Sequence, residues 1–121
     1  MDVVLLSHAL VARALVLYFA AVGVWGISLG ARNRGPTAGF RGAIAIAVIA
    51  SVVQGALGLV VLAFRAPPRD SLHILYGFAI LLAMPLAASL VRGLTPRGQS
   101  VALGLAALFT AGLAIRGIIT A

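Results

Sequence analysis

The chain has 121 residues, of which 63% are hydrophobic and only 9% charged, and its formal net charge is +7. A soluble domain of this size must cover its core with polar residues, so a mean hydropathy of +1.18 excludes that class. With no cysteine, the chain has no disulfide, thiolate metal ligand or thiol nucleophile.

Four apolar stretches follow one another at residues 3–30, 42–64, 72–91 and 99–120. Each reaches the roughly 20 residues that cross a bilayer core of about 30 Å. The expected fold is an all-α integral membrane protein with a single domain over residues 1–121. Its short connections predict an up-down-up-down bundle of four transmembrane helices.

The first stretch lacks a basic segment before it, and its first charge is Asp2, so a retained helix is expected rather than a signal peptide. It carries His8 about two turns in, Arg13 one turn further, and a GxxxG pair, Gly26 and Gly30, at its end. ARNRGPTAGFRG then reads as a loop. The second stretch has small residues every four positions (Ala43, Ala47, Ser51, Gly55), a spacing that lets helices approach closely in lipid. Its Gln54 is expected to make an interhelical hydrogen bond. In the loop APPRDS, Asp70 or Ser71 is placed to cap the third helix, which opens with LHILYG. Pro85 predicts a kink in that helix near Met84. After RGLTPRG, the fourth stretch repeats the small-residue spacing at Ala102, Ala106, Thr110 and Ala114, and carries Arg116 near its end.

All nine cationic residues are arginines. Arg32, Arg34 and Arg41 flank the first loop, and Arg92 and Arg97 the third. The second has Arg65 and Arg69 with Asp70. The positive-inside rule accounts for this pattern without nucleic acid and puts loops one and three in the cytoplasm. Both termini, His8 and His73 then lie on the outer side of an inner or plasma membrane.

On that topology His8 stands about 33 Å above Gly30, and His73 about 27 Å above Val91, at about 1.5 Å per residue. Two imidazoles at matched depth on parallel helices suit the two axial positions of one haem iron. Gly77, one turn below His73, leaves room for a flat ring; Tyr76 flanks it, and Ala12 follows His8 on the same face. Arg13 and Arg116 lie in the histidine half, where two haem propionates would supply their missing anions. Snorkelling to lipid phosphates is the competing account of both. The histidines have a competing account too, as polar residues at the membrane interface. With no histidine in the inner half, a second such haem is not expected.

VVQGALGLVVLAF followed by APPRDSLHILYGFAILLAMPL, together with SHALVARALVLY, resembles one four-helix half of the haem A synthase family. In that family a helix with a Q-x-x-x-G pattern precedes a helix opened by a ligand histidine, and a partner histidine opens the helix before them. The resemblance implies that His8 and His73 are the axial ligands of one haem b. It covers the first three helices. The family's second histidine pair and its outer-loop cysteine site have no counterpart, so the haem-holding scaffold is implied and haem A synthesis is not.

The expected function is a small membrane cytochrome b that holds one bis-histidine haem near the outer face. It would relay electrons among other membrane subunits of a respiratory or photosynthetic complex, with the lipid bilayer as its remaining partner. A six-coordinate haem suits electron transfer. No paired carboxylates, serine triad, P-loop or zinc spacing is present to support catalysis. Two alternatives stand beside it: a cofactor-free accessory subunit, or a pigment-binding subunit using one histidine.

Overall fold

A computed structural model describes residues 2–65 and 67–121. Four helices account for nearly all of them: α1 (Asp2–Ala31), α2 (Ala38–Phe64), α3 (Leu72–Leu90) and α4 (Pro96–Ile119), with a single 3-10 turn, Val91–Gly93, before α4. All four are long and apolar enough to cross a membrane.

The helix ends are set by local chemistry. At the end of α1, Asn33 takes a left-handed φ of 57°. The Arg34 and Asn33 amides then donate to the carbonyls of Leu29 and Gly30 at 2.8 and 3.0 Å, a Schellman cap. Both α2 and α4 begin one turn earlier than their apolar stretches. Thr37 accepts from the Phe40 amide, and Thr95 from the Gly98 amide with Pro96 at the first helical position. Hydrophobicity alone misses such polar first turns. For α3 the cap is Asp70, whose carboxylate accepts from the Leu72 amide at 2.9 Å, while Ser71 makes no side-chain cap bond. The α3 helix runs unbroken through Pro85, and Met84 beside it is buried.

Each helix packs on its chain neighbours, and α1 packs most extensively on α4, which closes the ring. The pairs α1/α3 and α2/α4 face each other diagonally. The α1–α4 seam is a contact between backbones: a Cβ on Gly26 would stand 2.7 Å from the Gly104 Cα, and one on Gly104 would stand 2.8 Å from the Gly23 carbonyl. Glycine is required there because the close approach leaves no room for a methyl group.

The packing differs sharply between the two ends of the bundle. On α2 the buried residues run only from Phe40 to Ser51, and on α3 Met84 is the sole one. They meet Leu15, Phe19, Val22, Leu103 and Ala107 in one core near the first and third loops. This end is also cross-linked by polar bonds. Arg97 donates to the Gly30 carbonyl, Ser100 to that of Arg34, and Tyr18 to that of Ala43. Toward the other end, α2 and α3 lose their buried side chains and the bundle opens.

Candidate cofactor site

The open end holds a cavity of about 850 Å³, lined by all four helices and the second loop. Its volume lies within the range of roughly 300–1,000 Å³ usual for small-molecule and cofactor sites. His8 and His73 both line it. They come from the diagonal helices α1 and α3, and their ring centres are 6.0 Å apart with 72° between the planes.

His73 is held at three points. The loop before it is pinned to α4, because the Asp70 amide donates to the Thr120 carbonyl at 3.3 Å. Asp70 then caps α3 at Leu72, immediately before the histidine. Finally, His73 Nδ1 lies 2.8 Å from the Gly117 carbonyl oxygen. A carbonyl only accepts, so Nδ1 carries the proton and Nε2 offers its lone pair. The Gly117 carbonyl lies in the last turn, where helix carbonyls lack a backbone donor, and it also accepts from the Thr120 hydroxyl at 3.2 Å. α4 ends at Ile119.

His8 is held by α2. Gln54 Nε2 donates to the His8 carbonyl at 3.0 Å. Gly58 brings the α2 backbone against the imidazole, since a Cβ there would stand 3.1 Å from His8 Cε1. Among the described residues, two buried polar atoms are left without partners at this point, His8 Nδ1 and Gln54 Oε1. One is a ring nitrogen able to donate and the other an amide oxygen able to accept. They belong to two residues that are already hydrogen-bonded to each other.

Of the other residues singled out in the sequence, Ala12 and Gly77 line the cavity. A Cβ on Gly77 would meet nothing within 4 Å. Arg13, Tyr76 and Arg116 are not among the lining residues. Arg13 is exposed on the outer surface of α1. Arg116 lies over the Tyr76 ring, 6.0 Å from its centre, so those two occupy each other at the α3–α4 seam. The cations that do line the cavity are Arg65 and Arg69, in the second loop, and Arg65 is ion-paired with Asp2. In the sequence these two read only as charges to be counted for orientation. The available signal was their place in the loop at the histidine end, Arg69 four residues before His73. Gly58 was legible as the glycine of the Q-x-x-x-G pattern, yet its contact with His8 was not.

What can two imidazoles so arranged hold? A bare ion needs three or four protein ligands, and among the described residues no three His, Cys, Asp or Glu gather. Two histidines suffice where the bound group brings its own equatorial donors, as a porphyrin does. A metal–imidazole bond of about 2 Å on each side, plus about 1.2 Å from nitrogen to ring centre, separates two axial rings by roughly 6.3 Å. The observed 6.0 Å is close to that spacing and is also an ordinary edge-to-face distance for two packed rings. Compared with known protein families, curated proteins and solved structures, the chain matches none.

Proposed function

We propose that this chain is a multi-pass membrane protein that binds one haem b between His8 and His73 and serves as an electron relay. The observation that carries this reading is the meeting of two imidazoles from diagonal helices across a cofactor-sized apolar cavity. When bound, the haem supplies one-electron chemistry between ferric and ferrous iron. The residues of the chain do the rest. His73 presents Nε2, its ring fixed by the Gly117 carbonyl. His8 would supply the second nitrogen; Gln54 holds its backbone by donating to the His8 carbonyl, and the unpaired Gln54 Oε1 is the acceptor that its ring Nδ1 would need. Gly77 and Ala12 leave space beside the ligands. Arg69 lines the cavity and would supply positive charge for the propionates, with Arg65 beside it shared with Asp2; Arg13 and Arg116 lie off the lining. With loops one and three cytoplasmic, the site lies in the outer half of the membrane, where other subunits of an electron-transfer complex can reach it.

The test is a pair of visible spectra, oxidised and dithionite-reduced, of the purified protein. His8→Ala and His73→Ala should each abolish the six-coordinate low-spin spectrum, separately and to a similar degree, and Gly77→Leu should do so by obstruction. A six-coordinate spectrum that survives either histidine substitution sinks the proposal. Protein that binds no haem at all leaves the accessory-subunit reading, and one histidine sufficing for a bound pigment would favour the pigment-binding one.

A further inference from the structure

We infer that the opposite end of the bundle carries a site for one anionic phospholipid, held through its phosphate by Arg41 and Arg92. The inference rests on the membrane reading of the chain and not on the haem. A second cavity, of about 350 Å³, lies between α2, α3 and α4 at the end bearing the first and third loops. Its polar lining is Arg41, Arg92 and Gln99, and its apolar lining is Ala88, Val91 and Leu103. The two guanidiniums come from separate elements, the first turns of α2 and the 3-10 turn after α3.

No carboxylate can answer them. The chain has two acidic residues, Asp2 and Asp70, and both lie at the histidine end, where Asp2 pairs with Arg65 and Asp70 caps α3. Among the described residues neither Arg41 nor Arg92 makes a side-chain hydrogen bond or ion pair. Arg97, by contrast, is tied to the Gly30 carbonyl. The N-termini of α2 and α4 lie at this same end, and each adds a partial positive charge. The acceptor must therefore come from outside the chain, and planar guanidiniums favour phosphate oxygens. Two exposed cations beside the buried Val91 and Leu103 match the join between a phosphate and its acyl chains, as in basic pockets between membrane helices. The field selects against headgroups that carry their own cation, so phosphatidylglycerol or cardiolipin fits and phosphatidylcholine does not.

Inorganic phosphate shares the chemistry, and the experiment separates the two. The purified full-length protein in detergent is titrated with short-chain phosphatidylglycerol, phosphatidylcholine or inorganic phosphate, with bound lipid read by native mass spectrometry and stability by thermal melting. Phosphatidylglycerol should bind one to one and raise the melting temperature, and the other two should not. Arg41→Gln and Arg92→Gln should each weaken that binding about tenfold, as expected for loss of one charge-assisted hydrogen bond, while Arg13→Gln, on exposed α1 surface, leaves it unchanged. Equal binding of both lipids, an equal effect of inorganic phosphate, or indifference to both substitutions overturns the inference. Failure of the protein to float with vesicles would instead overturn the membrane reading beneath it.

Discussion

A histidine whose Nδ1 donates to a carbonyl must offer Nε2 outward, and His73 is in that state through Gly117. His8 lacks the equivalent bond, although the Gln54 oxygen is buried nearby with nothing to accept. A hydrogen bond between them would satisfy both atoms, each costing about 1–3 kcal/mol unpaired. With the proposed haem bound, Gln54→Leu should therefore raise its midpoint potential, because an acceptor on Nδ1–H makes the ligand a better donor to ferric iron. Redox titration reads this directly, and a loss of stability with no change in potential would reduce Gln54 to a helix tether. The arginines give a paired test of the opposite sign. Arg69→Gln should lower the potential by an amount on the order of tens of millivolts, since a positive charge near the iron favours the reduced form. Arg13→Gln, exposed and away from the cavity, should leave it unaltered. A shift on Arg13→Gln and none on Arg69→Gln would return the propionates to the first helix.

Among the helix pairs, α1 and α4 pack most extensively and α2 and α3 least. Lipid is as apolar as leucine, so helices join in a membrane mainly through close packing. Gly23, Gly26 and Gly104 allow the α1–α4 backbones to touch. Gly26→Ala would push a methyl into the Gly104 backbone and should cost about 1–3 kcal/mol, as overpacking does. Gly112→Ala is the control: nothing lies within 4 Å of its Cβ position, and alanine is the better helix former. Thermal melting of both variants checks the contrast. Equal melting temperatures would mean that the seam is looser than described. The small-residue stripe on α2 behaves otherwise along its length. Ala47 is buried in the core, whereas Ser51 and Gly55 line the cavity.

For the whole molecule, the arginine distribution predicts that Ala38→Cys, at the start of α2, reacts with an impermeant thiol reagent only after cells are permeabilised. Ser71→Cys, in the loop beside the histidines, should react in intact cells. Both positions are exposed, and the reverse pattern would turn the site toward the cytoplasm. Four helices of membrane-spanning length and their order were already legible in the chain, since about 20 apolar residues between Gly, Pro and Arg loops leave no other structure. The pairing of His8 with His73 was legible as well, because alternating helices bring the starts of the first and third to one end. The tertiary structure alone decided what surrounds them. Ring separation depends on helix tilt and on which faces meet, and a 3.6-residue period does not fix either in a helix that is apolar all round. Arg116 meeting Tyr76, Arg65 and Arg69 lining the cavity, and Gln54 and Gly58 packing on His8 join residues far apart in the chain. Hydrophobicity indicates where a helix crosses, whereas side-chain packing sets which residues meet.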